Sequence, residues 1–175
     1  MEKNSVIKIA VIGAESTGKS ELCEALAQHY NTTWVPEYAR EYFNNSDIYN
    51  YTQNDLIVIA QKQIELESQQ LKKANRIFFS DTTLITIKIW AELEFKQTPA
   101  FITENLNKIN YDHYLITSND MNWVKDGLRQ NKFSRDMILD MNIDEVKKLG
   151  ATYSLVEGMN EKRTKNAIKI IDSLF

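Results

Sequence analysis

Eight residues, GAESTGKS at positions 13–20, constrain this chain more than any other stretch. They fit the spacing G-x-x-x-x-G-K-[ST], in which a glycine-rich turn wraps nucleotide phosphates and opens a helix. Gly13 and Gly18 let the backbone curl so that several N–H groups point at phosphate oxygens. Ala14, Glu15, Ser16 and Thr17 make up the turn between them, and the helix starting near Lys19 adds its positive end. Lys19 supplies a cation for the β- and γ-phosphates, and the Ser20 hydroxyl suits Mg²⁺. Such a pattern arises by chance in roughly one chain of this length in 200, so the flanks decide. VIKIAVI at 6–12 reads as a buried strand and KSELCEALAQHY at 19–30 as a helix, which is the context the motif requires.

The rest of the chain alternates short apolar runs with longer amphipathic stretches. Strands are expected at 32–35 (TTWV, halted by Pro36), 76–79 (RIFF), 111–117 and 151–158, and helices at 52–74 and 160–174. This interleaving implies crossover connections and an α/β architecture, a parallel sheet of five strands with helices on both faces. ITIKIW at 85–90 alternates apolar and polar residues and locally favours a strand. A helix is nonetheless expected there, because a crossover is needed between Asp81 and Tyr111.

A phosphate loop needs a carboxylate to hold Mg²⁺, commonly at the end of a neighbouring buried strand. RIFFSD places Asp81 there, where an aspartate can equally serve as a helix N-cap. VPEYAREY at 35–42 follows the second strand, on the side of the sheet where ligands gather in open α/β folds. Glu37 and Arg40 share a face on a helical turn: either an ordinary surface pair, or a carboxylate and arginine gripping a hydroxylated acceptor. NWVKDGLRQNKFSRDM at 122–137 is polar and basic. It reads as a solvated loop opening a helix or as a mobile flap closing over a transferring phosphoryl group, with Arg129 and Arg135 as the flap arginines and Lys125 and Lys132 as solvated charges. Trp90, Phe95 and Phe101 read as core.

Composition excludes more than it assigns. The net charge of −3 argues against a dedicated nucleic-acid binder, which would carry a basic footprint. No apolar run approaches the roughly 20 residues needed to span a bilayer, and the N-terminus lacks a signal-peptide layout. One cysteine, Cys23, cannot form an internal disulfide, so a reducing, cytoplasmic setting is expected. Its 175 residues fit one domain. No cluster of His and Cys has metal-ligand spacing.

The blocks GAESTGKS, PEYAREY, DLIVIAQKQIELE, FFSDTTL, YDHYLI, WVKDGLR with Arg135 beyond it, and EGMNEKR occur in this order across nearly the whole chain. Together they resemble the ribosylnicotinamide kinase domain of NadR-type proteins. That resemblance implies a three-layer P-loop fold like that of nucleoside and nucleotide kinases. It implies ATP and Mg²⁺ at residues 13–20, and phosphorylation of the 5′-hydroxyl of nicotinamide riboside to nicotinamide mononucleotide. Carried onto this chain, Asp81 would serve the metal or take the acceptor proton. Glu37, Tyr38 and Arg40 would line the riboside site, and Arg129 and Arg135 would close over the phosphates. Longer family members carry an adenylyltransferase and sometimes a DNA-binding domain ahead of the kinase. This chain opens at the first kinase strand, so those activities are not expected. Two departures stand out: the family's D-T-D reads Asp81-Thr82-Thr83 here, and Pro36 stands where some relatives have an aromatic. Trp34 or Trp123 could then supply a ring for the nicotinamide. The rival readings are a kinase for another nucleoside or hydroxylated metabolite, and a nucleotide-dependent switch with no small acceptor.

Overall fold

A computed structural model describes residues 5–44, 47–124 and 133–175. Five strands form a single parallel sheet in the order β2-β3-β1-β4-β5. They are β1 (Ile7–Gly13), β2 (Trp34–Val35), β3 (Ile77–Asp81), β4 (His113–Thr117) and β5 (Tyr153–Val156). The expected five-stranded parallel sheet is therefore present. The central strand β1 is apolar at every residue from Ile9 to Ile12, because both of its faces are covered. Ile9 and Val11 pack with Leu22, Cys23, Leu26 and Ala167 from the helices α1 (Lys19–His29) and α7 (Glu161–Leu174). Ala10 and Ile12 join a larger cluster on the opposite face. That face is built by α2 (Tyr38–Asn44), α3 (Gln53–Leu71), α4 (Leu84–Phe95), α5 (Ala100–Leu106) and α6 (Arg135–Lys148). The result is the three-layer P-loop kinase fold.

Residues 85–90 lie in α4, against their local strand preference. Ile85, Thr86, Ile87 and Ile89 are all buried, which no one-sided strand would achieve, and α4 packs against α3, α5 and α6. A helix apolar most of the way round is a buried helix. Lys88 within this stretch pairs with Glu92 and Glu145, each at 2.8 Å. Thr83 starts this helix, its hydroxyl accepting from the Ile85 N–H at 3.1 Å.

β2 is shorter than expected, two residues rather than four. Thr32 stays outside the ladder because its N–H donates to Ala27 O at the end of α1, at 2.9 Å, while the Thr32 and Thr33 hydroxyls anchor the segment to the carbonyls of Ile77 and Gln70. α3 opens on a capping box in which Thr52 and Asp55 satisfy one another's backbone N–H groups. Register does the rest. Val11 lies beside Asp81 and Gly13 beside Thr117, so the C-terminal ends of β1, β3 and β4 meet at one edge of the sheet. Among the described residues, no helix is long and apolar enough to cross a membrane.

Candidate active site

The phosphate loop joins β1 to α1 and is fixed from several sides. Gly13 has φ 139°, and a Cβ there would sit 2.4 Å from Thr117 Oγ1. Only glycine fits this close passage over β4. Gly18, at φ 72°, caps α1 without any side-chain hydrogen bond, leaving the first helical N–H groups directed at the turn. Thr17 Oγ1 donates to Ala14 O at 2.8 Å and lies 2.6 Å from Thr117 Oγ1. Lys19 Nζ reaches back over the turn to Ala14 O at 2.7 Å.

Asp81 closes β3 directly beside the start of α1. Ser20 Oγ donates to its Oδ2 at 2.5 Å, while Oδ1 is buried with no hydrogen-bond partner among the described residues. Burial pushes the Asp81 carboxyl above the usual carboxylate range; Lys19, the Ser20 hydroxyl and Arg40 pull the other way. A fully buried carboxylate oxygen without a donor, next to a hydroxyl, is a fitting pair for a hard divalent cation. No group of three or more His, Cys, Asp or Glu suited to a metal occurs among the described residues. Mg²⁺ takes one or two protein oxygens and completes its shell with phosphate and water. Ser20 and Asp81 therefore fit the ion.

Glu37 and Arg40 stand at the start of α2, and Arg40 Nε lies 3.2 Å from Glu37 Oε2. Glu37 is 7% exposed and the Arg40 side chain 39%, so a buried carboxylate meets a partly solvated guanidinium. Both line a cavity that also takes in Gly13, Glu15 and Lys19 of the phosphate loop. The cavity's remaining wall is mostly apolar: the rings of Phe43, Tyr51, Trp90 and Phe133 stand among the aliphatic side chains of Ile48, Ile89, Leu93 and Ile138, with Thr86, Glu94 and Asn142 as polar members. Burial, reinforced by Glu94, holds the Tyr51 phenol far up and therefore protonated. Trp90, read from sequence as core, thus serves as both core and cavity wall. Tyr38 points elsewhere: it packs on the core beside Tyr42, with ring centres 6.3 Å apart, and does not line the cavity. Trp34 packs with the opposite cluster and Trp123 also lies outside the cavity wall, its Nε1 buried without a partner among the described residues.

Two arginines bear on the loop from outside. Arg135, the first residue of α6, donates to Ser16 O (3.2 Å), Asn119 O (3.3 Å) and Met121 O (2.7 Å). Its guanidinium ties the phosphate loop to the segment after β4. Arg163, in the first turn of α7 and 2% exposed, is the stronger clamp. It donates to Thr17 O, to Ser118 O (3.1 Å) and to Gly158 O (2.6 Å), and pairs with Asp120. These bonds hold loop carbonyls outward, which leaves the N–H groups to face inward. Sequence reasoning placed Arg163 in the EGMNEKR block without a role; a basic residue in the first turn of the final helix was its only signal. Arg129, with Lys125 and Lys132, lies outside the described residues.

A bent backbone cradle, a cation, a carboxylate–hydroxyl pair and an adjoining aromatic cavity can together hold a polyphosphate against a second small molecule. Known proteins point the same way. The chain is 31% identical over 124 residues to the trifunctional NAD biosynthesis/regulator protein NadR of Escherichia coli (strain K12), covering 69% of this chain and 30% of that protein. It superposes on the crystal structure of NadR protein in complex with NR with a TM-score of 0.83 at 21% identity, covering 97% of this chain and 50% of that one. A second NadR crystal structure, with NAD and AMP-PNP, gives 0.80 at 22% identity over 97% of this chain and 49% of that one. The chain therefore spans 30% of the curated relative and about half of the crystallised ones. A family model described as an AAA domain (AAA_28) matches residues 8–163, and the chain belongs to that family.

Proposed function

We propose that this protein is an ATP-dependent kinase that phosphorylates the 5′-hydroxyl of nicotinamide riboside. The observation that carries this reading is the shared cavity: the loop residues Gly13, Glu15 and Lys19 and the Glu37–Arg40 pair line one space with an apolar wall that includes four aromatic rings. A switch that signals through its own conformation needs no such acceptor cleft. The similarity to NadR structures holding NR and AMP-PNP supports the same choice of ligands. An aromatic wall with Glu94 beside it also suits a flat base bearing positive charge, as the nicotinamide ring of the riboside does.

In this reading the loop N–H groups and Lys19 bind the ATP phosphates. Ser20 and Asp81 would hold Mg²⁺, which when bound neutralises charge on the transferring phosphoryl group. Glu37, steadied by Arg40, orients the ribose 5′-hydroxyl. The hydroxyl oxygen bonds to the γ-phosphorus as the bond to the β-phosphate oxygen breaks. The hydroxyl proton passes to Glu37 or Asp81, and ADP leaves. Phosphoryl transfer of this kind is mostly positioning and electrostatics.

The test is a panel of nucleosides with ATP and Mg²⁺, with products identified by mass. Nicotinamide mononucleotide should form fastest. Preferential phosphorylation of another nucleoside would change the acceptor, and nucleotide turnover that ignores every acceptor would remove the kinase reading.

A further inference from the structure

The DLIVIAQKQIELE block, residues 55–67, has no part in binding or chemistry as described so far, yet it lies in α3. Its polar residues are arranged along that helix with a clear purpose. Gln63 is 2% exposed and grips the chain on both sides of Glu37: its Oε1 accepts from the Tyr38 N–H at 2.9 Å, and its Nε2 donates to Pro36 O at 3.4 Å. One turn on, Glu67 holds the residue before Asp81. Its Oε1 lies 2.7 Å from Ser80 Oγ, whose single hydroxyl proton is shared between that carboxylate and Thr82 O at 3.0 Å. Glu67 Oε2 takes a second anchor from Tyr111 OH at 2.7 Å. Gln63 and Glu67 stand four residues apart on α3, so one helix face carries both grips.

One face of α3 thus bridges the two sites, holding the flanks of Glu37 through Gln63 and the flank of Asp81 through Glu67. A buried amide and a half-buried carboxylate are costly at a packed helix face, and a hydrophobic pair would fill it with less penalty. We propose that this bridge fixes the separation of the two carboxylates, making Gln63 and Glu67 positioning residues for the acceptor hydroxyl. The proposal rests on the kinase reading above. Neither residue lines the cavity, so each acts through Glu37 or Asp81 rather than on substrate.

The test compares wild type with Gln63→Met, which keeps length and loses both grips, and with Glu67→Gln. Steady-state constants for the acceptor are set against the Kd for AMP-PNP by calorimetry. The expected result for Gln63→Met is a fall in acceptor kcat/KM of about 10²-fold, the scale of a 1 Å misplacement, with AMP-PNP affinity within about twofold. Glu67→Gln, which keeps the shape and part of the bonding, should fall between wild type and Gln63→Met. Should Gln63→Met not fold, Ser80→Ala removes only the far hydroxyl and carries the same comparison. Acceptor kinetics unchanged in a folded variant, or nucleotide affinity lost in parallel, would overturn the bridge. Wild type that phosphorylates no nucleoside would overturn the kinase reading, and the role of the bridge with it.

Discussion

The two ends of the cavity are built by different means. At the phosphate loop the contacts are between backbone groups and buried side chains of distant elements. Thr117 sits against Gly13, Arg135 holds Ser16 O and Arg163 holds Thr17 O. At the opposite end the wall comes from α2, the segment before α3, α4, Phe133 and α6, and its apolar and aromatic side chains set its shape. The lesson is one of chemical constancy. A polyphosphate looks the same whatever base it carries, so backbone N–H groups suffice to hold it. An acceptor is defined by its shape and charge, and only side chains can follow those. Changes at the loop should therefore abolish turnover, while changes at the wall should alter which alcohol is used.

The sharpest break in that comparison is Asp81→Asn. Turnover should drop by about 10²–10⁴ if Asp81 is the base. Burial already disfavours its charged form, so the neutral variant should be at least as heat-stable as wild type. Steady-state rates and a thermal midpoint measured on the same sample decide this. A near-normal rate would pass the base role to Glu37.

Arg163→Met comes next. It leaves the carbonyls of Thr17, Ser118 and Gly158 without their donor and should cost about 3 kcal/mol of stability, the scale of leaving buried acceptors unpaired. Nucleotide affinity should fall by roughly tenfold, about 1.4 kcal/mol, as the loop relaxes. Acceptor KM at saturating ATP should hold within about twofold. Equal losses for both ligands would mean that the two ends are not separable.

Trp90→Leu probes the opposite end. Losing the ring while keeping an apolar side chain should raise acceptor KM by roughly fivefold to tenfold, as an aromatic contact of about 0.5–1.5 kcal/mol plus some area predicts. AMP-PNP affinity, read by calorimetry, should move by less than about twofold. A parallel loss of nucleotide binding would make Trp90 a core residue with no part in acceptor choice.

The same asymmetry explains what the sequence made legible. The loop was visible because phosphate chemistry fixes spacing along eight consecutive residues. Asp81 was visible because it ends a buried strand. Arg163 had no comparable signal: its partner Thr17 lies 146 residues away, and only the sheet order brings α7 against the loop. Trp90 and Gln63 were hidden for a different reason. Apolar spacing in α4 and α3 tells which faces are buried, not whether a buried face borders a cavity or a strand end. The parallel sheet itself followed from the alternation of runs. The short β2 did not, because the diversion of the Thr32 N–H to Ala27 O of α1 leaves no trace in hydropathy.

Thr83 bears on the comparison most finely, since the family pattern has an aspartate there and the chain does not. If the lost carboxylate belonged to the acceptor end, its replacement would change substrate handling. The structure puts Thr83 to a different use, because it is 2% exposed and its hydroxyl caps α4 through the Ile85 N–H. Thr83→Ala should accordingly cost about 1 kcal/mol, the usual loss of an N-cap. That corresponds to a fall of roughly 2–4 °C in Tm for a chain of this size. Acceptor KM should stay within about twofold of wild type. A tenfold rise in acceptor KM, about 1.4 kcal/mol, without the drop in Tm would move residue 83 out of the scaffold and into the acceptor cleft. The aromatic wall would then no longer be the sole carrier of specificity at that end.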